Sequence, residues 1–236
     1  MNIIILTTDT LHHTYFVKKI TEKYPVKKVL IEKEIYHAKF ETHHPFEDIR
    51  EEYEKKKFFD DKKVTLRDIS NTFETKTVNY SNAISIIKDL FPDIIISFGT
   101  GKISKEVIQI CPEGIINLHG GNPEVYRGLD SHLWAIYNND FDNFIVTLHR
   151  VNEKLDCGDI ILQKPIKIFK SMKLHELRRF TTEICIELVL SAISKFQKNG
   201  HFISYPQKKF GKYYSFMPTE KKEICVNLFN KYTEGL

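Results

Sequence analysis

The chain has 236 residues, enough for one good-sized domain or one domain with a small appendage, and its 42% hydrophobic and 28% charged content is ordinary for a soluble globular protein. A net charge of +4, spread along the chain, gives little support to a nucleic-acid partner. No stretch approaches the ~20 apolar residues of a membrane span and the N-terminus lacks a basic start and cleavage site, so no membrane partner and a cytoplasmic location are expected.

Residues 2–6, Asn-Ile-Ile-Ile-Leu, form a continuous apolar run suited to a buried parallel strand. Residues 7–10 read as a turn, 11–24 as a helix and 26–31 as a second strand. Such a βαβ opening predicts a doubly wound α/β fold with a mostly parallel sheet. No glycine precedes Gly99, so the Gly-x-Gly-x-x-Gly turn that lets backbone amides approach phosphates is missing. Nicotinamide or flavin dinucleotide enzymes and P-loop ATPases are thereby disfavoured. His12 and His13 stand just after the first strand, at the sheet edge where ligands bind. They read either as contacts to a substrate or as a helix cap.

Residues 32–82 are rich in charge, and about 40–80 read as an insertion. Within it, residues 47–57 place acids about one turn before bases, the pattern of a solvated helix. His37, His43 and His44 lack the paired spacing of metal ligands, and no metal is expected. Cys111, Cys157, Cys185 and Cys225 are far apart and read as reduced thiols.

A helix is predicted over 81–90 and a central strand over 94–98, running into Gly99-Thr100-Gly101-Lys102. Glycines there permit close approach of a ligand, or simply a tight turn. Ser104 caps a short helix to 110, with Glu106 favourable to its dipole. Residues 114–116 begin a buried strand that continues into Asn117-Leu118-His119, whose two polar residues share one side. The loop Gly120-Gly121-Asn122-Pro123 follows. A long helix is predicted over 174–197, an aromatic-rich β-hairpin over 202–218 and a short helix over 220–232. The expected division is a catalytic domain, 1–200, and a C-terminal hairpin and helix, 201–236, read as a dimerisation element.

The ordered set Asn117-x-His119, Tyr126-Arg127-Gly128, Trp134-Ala135, Thr147-x-His149 and Asp156-x-Gly158-x-Ile160 resembles the catalytic half of the folate-dependent formyltransferases, over about residues 93–165. The resemblance implies a Rossmann-like fold, N10-formyltetrahydrofolate as co-substrate, and catalysis by Asn117, His119 and Asp156. It assigns Phe98, Gly99, Thr100, Gly101, Lys102 and Ile103 to the folate, held mostly by main-chain hydrogen bonds. The chemistry agrees on general grounds. Attack of an amine on an activated amide carbon needs a base, a donor to the developing oxyanion and a group that sets protonation. His119, Asn117 and Asp156 are of those three types. Asp156 in isolation also reads as a turn residue.

The loop after His119 departs from the Ser-Leu-Leu-Pro common in the family, which bears on the acceptor and not on the chemistry. The group with the best fit is the sugar N-formyltransferases, implying an amine on a nucleotide-linked (dTDP- or UDP-type) amino deoxysugar for surface polysaccharide, and a homodimer. Candidate acceptor contacts are His12, His13, Gly120, Gly121, Asn122, Tyr126, Arg127, Arg150 and Tyr213, with Lys102 and Lys212 as further candidates for a diphosphate. Arg127 also reads as a loop tether through backbone carbonyls, Trp134 as core packing, and His149 as either a site residue or a buried structural histidine. Alternative acceptors are a nonulosonic acid precursor, an amino acid or methionyl-tRNA. About seventy residues after Pro165 leave little for a tRNA-binding barrel. A non-catalytic binding module is the alternative of a different class.

Overall fold

A computed structural model describes residues 1–34 and 37–236. Its elements are β1 (Ile3–Thr7), α1 (Leu11–Thr21), β2 (Val26–Glu32), α2 (Phe46–Phe59), α3 (Leu66–Ile69), β3 (Thr72–Thr75), α4 (Ser81–Asp89), β4 (Ile94–Phe98), α5 (Lys105–Ile110), β5 (Ile115–His119), β6 (Tyr126–Gly128), α6 (Ser131–Tyr137), β7 (Ile145–Arg150), β8 (Ile160–Pro165), α7 (Leu177–Asn199), β9 (Lys212–Tyr214) and α8 (Thr219–Glu234). The main sheet runs β3-β2-β1-β4-β5-β7-β8. Its first five strands are parallel, β7 adds antiparallel to β5, and β8 adds antiparallel to β7. This is the doubly wound, Rossmann-like α/β fold expected.

The apolar runs explain the layers. Every residue of β1 and β4 is buried, as parallel strands covered on both faces must be. Alternate side chains go to opposite faces. Ile3 and Ile5 join a large core with α1, α6, α7 and α8, whereas Ile4 and Leu6 join a smaller one with α4 and α5. Among the described residues no helix is long and apolar enough to cross a membrane, and no group of histidines, cysteines and acids could hold a metal. All four cysteines are free and buried.

The charged insertion is docked more firmly than its composition suggests. Phe58 of α2 stacks on Tyr15 of α1 with ring centroids 4.2 Å apart. Glu54, in the middle of the charged run, is 0% exposed and receives two hydrogen bonds from Arg178 of α7, at 2.7 and 2.6 Å. A solvated helix would have left this carboxylate in water. Its bidentate partner is what permits burial.

The C-terminal segment provides an extended stretch and a helix. Tyr205 bridges Ile160 antiparallel, and β9 pairs in parallel with β6, more than eighty residues earlier. Met217, Cys225 and Phe229 enter the same core as the main sheet, and Tyr232 stacks on Phe141 at 3.7 Å. Trp134 is only partly buried: its Nε1 donates to the Ser215 carbonyl at 2.9 Å, and its ring lies against Tyr214. Phe229→Ala is expected to cost about 3–5 kcal/mol, as buried Phe truncations do. Urea unfolding followed by fluorescence and by far-UV circular dichroism should show one shared transition. Separate loss of a C-terminal unit would contradict a common core.

Candidate active site

The parallel register puts the end of β5 beside the end of β4, with Ser97 opposite Asn117. Antiparallel β7 then places His149 opposite Asn117 and Thr147 opposite His119. Directly paired residues share a face, so the Asn-x-His and Thr-x-His motifs meet at the carboxyl edge of the sheet. Asp156 joins them from the turn after β7, at φ +54°, a left-handed conformation that Asp tolerates better than most residues.

The geometry assigns a role to each nitrogen. His149 Nδ1–H donates to the Arg150 carbonyl at 2.7 Å, so Nε2 carries the lone pair of the neutral ring and accepts from Asn117 Nδ2 at 3.1 Å. That bond uses one amide hydrogen of Asn117 and leaves the other free to meet a developing negative charge. His119 Nε2–H donates to the Tyr126 carbonyl at 2.8 Å, which leaves Nδ1 as the basic atom. His119 Nδ1 lies 3.6 Å from Asp156 Oδ2, and His149 Nε2 lies 3.6 Å from Asp156 Oδ1. A proton taken up at Nδ1 therefore forms a cation beside a carboxylate in a buried site.

Burial alone would raise the Asp156 pKa. The charge of His119, ahead of His149 and the Gly128 N–H that donates at 2.8 Å, reverses this and holds the carboxyl well below its ordinary range. It stays ionised at neutral pH. Gln207 Nε2 braces the same turn by donating to the carbonyls of Asp156 and Gly158 at 2.9 and 2.8 Å.

The loop at 98–103 closes the neighbouring wall. Gly99 sits at φ +84° directly over the His13 ring, a space no Cβ could share. Phe98 and Ile103 are buried, with Phe98 packing edge-on to His13 at 4.5 Å. Thr100 Oγ1 is 2.9 Å from Ser97 Oγ. Several main-chain groups expected to face the folate are already taken. Thr7 Oγ1 donates to the Phe98 carbonyl, Gly101 N–H donates to Glu32 Oε1 at 2.7 Å, and Asn79 Nδ2 donates to the Lys102 carbonyl. Glu32, buried at the end of β2, also accepts from Thr77 Oγ1 and Val78 N–H, and so organises two loops.

The other candidates scatter. Gly121 lies against His119 and Ser131, so tightly that a Cβ would come within 2.9 Å of His119 Nε2. Its carbonyl accepts from Thr147 Oγ1 at 2.8 Å. Gly120 faces His132 and Thr181. Asn122 shapes a turn through Glu124 N–H and Asn143. Tyr126 contributes its carbonyl to His119, while its phenol donates to Asp140 and is pushed up to about 12, by burial first. Arg127 takes the tether role: Nε donates to the Gly211 carbonyl at 2.7 Å and Nη1 to Cys157 Sγ. Tyr213, 53% exposed, lies over Gly128. His12 packs on His13 at 3.9 Å. Lys102 and Lys212 stand on the 98–103 loop and on β9 respectively. Arg150 is turned away from the trio, with Nη2 donating to the Pro112 carbonyl and to Glu113 at 2.6 Å. Glu32 and Asn79 are the residues sequence reasoning left out, and His149 is the one it left between a site role and a structural one. For His149 the signal was present, since Thr-x-His alternation puts it on the face of Thr147, but its strand partner was not readable.

An amide donor, a histidine with one free basic nitrogen and a buried carboxylate are the three kinds of group that transfer at a carbonyl-type carbon requires. The chain belongs to the formyl transferase family, whose model matches residues 3–193. Methionyl-tRNA formyltransferase of Borreliella burgdorferi (strain ZS7) is 33% identical over 149 residues, covering 62% of this chain and 47% of that protein. The chain spans about half the length of the curated relatives it matches first. Two solved structures share the fold. HypX from Aquifex aeolicus has a TM-score of 0.61 at 19% identity, over 99% of this chain and 35% of that one. The formyltransferase PseJ from Anoxybacillus kamchatkensis, in complex with UDP-4,6-dideoxy-4-formamido-L-AltNAc and tetrahydrofolate, has a TM-score of 0.56 at 18% identity, over 99% of this chain and 94% of that one.

Burial, ahead of the charge of Arg178, pushes His13 down to about 3, so the ring under Gly99 stays neutral in the folded protein. The unfolded chain binds a proton there below about 6.5. Stability from this group is thus complete above that pH and falls as pH drops toward the folded value. His13→Gln is expected to reduce the shift in urea midpoint between pH 7 and pH 4.5. An unchanged shift would show that His13 does not carry that acid sensitivity.

Proposed function

We propose that this chain is an N-formyltransferase that uses N10-formyltetrahydrofolate and formylates the amine of a nucleotide-linked amino deoxysugar of the dTDP or UDP type, in surface polysaccharide synthesis. The observation that carries the transfer chemistry is the convergence of Asn117, His119 and Asp156 at one sheet edge. Bound N10-formyltetrahydrofolate supplies an activated formyl carbon. The residues around the cleft fit such a donor, because Asn117, which keeps one amide hydrogen uncommitted, is paired with Ser97 just before the 98–103 loop. His119 Nδ1 takes the proton of the attacking amine, and Asp156 stabilises the imidazolium so formed. Asn117 Nδ2 donates to the developing oxyanion. His119 then returns the proton to the departing nitrogen. His149 acts through Asn117 and Asp156, as a positioning residue that aims the amide.

Support for the sugar acceptor comes from the likeness to PseJ, which extends over nearly the whole of both chains, and from a first turn without the glycines that would cradle a terminal phosphate by backbone. Methionyl-tRNA is the second acceptor, favoured by the identity to curated relatives of that name. The exposed rings of Tyr205, Phe210 and Tyr213 on the C-terminal segment support a homodimer through that face, and sedimentation showing only monomer would refute it.

The test mixes purified protein with N10-formyltetrahydrofolate and a panel of nucleotide-linked amino sugars, with free amines and methionyl-tRNA alongside, and follows tetrahydrofolate release. Turnover with an amino sugar is expected, falling to background in His119→Ala and by roughly 10²- to 10³-fold in Asn117→Ala, as for loss of an oxyanion donor. Turnover only with methionyl-tRNA would transfer the assignment to that acceptor. No turnover and no folate binding would overturn the proposal. In the same assay His149→Phe is expected to lower kcat at least tenfold with little change in KM. An unchanged kcat would reduce His149 to packing.

A further inference from the structure

A cleft of about 540 Å³ opens between the β1–α1 turn, α2 and the first turns of α7 and α8. Thr10 and Thr14 line its sheet side, and Arg50, Arg178 and Lys222 line the other. The floor is an unusual charge arrangement. Lys222 is buried and donates to Glu47 and to the Thr42 carbonyl. Arg50 donates to Glu47, and Arg178 holds Glu54 through two of its nitrogens. Among the hydrogen-bonded groups of the floor, three cations thus share two carboxylates. Two guanidiniums stand close enough to repel, and burial followed by that repulsion lowers the Arg50 pKa. Among the described residues Arg50 Nε is buried with no partner, and Nη1 of both arginines has none. Further acids lie at the exposed rim: Glu51, Asp48, which is 3.1 Å from His43 Nε2, and Asp9, which is 3.6 Å from Lys33 Nζ.

The helix that lines the cleft with Arg178 also reaches the loop after β5. Arg178 is one helical turn, about 5 Å, from Thr181, and the Thr181 methyl lies beside Gly120, next to His119. The two guanidiniums also contribute, after burial and the His12–His13 contact, to holding His12 well below its usual range. A positive field therefore reaches the β1–α1 turn.

We propose that Arg50, Arg178 and Lys222 form an anion-binding subsite that seats a phosphate group of the acceptor while its amine reaches His119. The identity of the phosphate's owner rests on the acceptor class proposed above; the anion site itself does not. A phosphate there accepts the unpaired guanidinium hydrogens and separates the like charges. The exposed acids around it disfavour a long polyanion such as RNA and admit a small one.

Inorganic phosphate and pyrophosphate, titrated calorimetrically into the full chain without folate or acceptor, test the site alone. Saturable binding is expected, weakened at least tenfold in Arg50→Gln. Because removal of Arg178 alone would strand the buried Glu54, the second variant is Arg178→Gln with Glu54→Gln, and it should show the same loss. No saturable binding, or equal binding in both variants, overturns the subsite. In the formyl-transfer assay Arg50→Gln should raise acceptor KM about tenfold with kcat and folate KM unchanged. A rise in folate KM instead would give the site to a folate carboxylate and overturn the acceptor assignment. Phosphate binding without any formyl transfer would leave the subsite standing and remove the proposed acceptor.

Discussion

The site depends on a buried carboxylate set between two histidines and held by one backbone amide. Asp156 is almost fully enclosed, and an isolated carboxylate there would take up a proton. His119 and His149 approach its two oxygens at equal distances, and Gly128 N–H satisfies one of them. The same contacts orient both rings. The backbone carbonyls of Tyr126 and Arg150 fix which nitrogen of each ring carries hydrogen. Charge, tautomer and geometry are thus set by one cluster, and no member can be altered without disturbing the others.

The fold explains how the cluster is reached. Parallel β1, β4 and β5 carry their carboxyl ends to a common edge, whereas β7 returns antiparallel and offers its own side chains to that edge. A purely parallel sheet would have needed a crossover helix to bring another strand alongside β5. The return strand places two further polar residues opposite Asn117 and His119 and then turns directly into Asp156.

Much of this was legible in the sequence because it is local. Continuous Ile-rich runs mark strands buried on both faces, and the spacing of Asn117 and His119 puts them on one side without reference to anything distant. The order of the five motifs carried the family. What escaped was partner choice. β9 is three residues long, with no periodicity to announce its pairing with β6. Glu54 looks like any other acid in a charged run, and only Arg178, 124 residues later, makes its burial tolerable. Arg150 seemed a substrate contact by charge, but its position next to Ile116 in the ladder sends it toward Glu113. Local pattern identifies an element, and long-range complementarity decides where it docks.

The tether between Arg127 and Gly211 has a consequence for the order of assembly on the ribosome. The Asp156 turn is braced by Gln207, and the strand that supplies Gly128 N–H is paired by residues 212–214. Synthesis proceeds from the N-terminus, so the sheet with His119 and His149 emerges well before these supports do. The growing chain therefore carries the histidines early but completes the mould around their carboxylate only after residues 207–214 have been made. The mould closes after the scaffold that contains it.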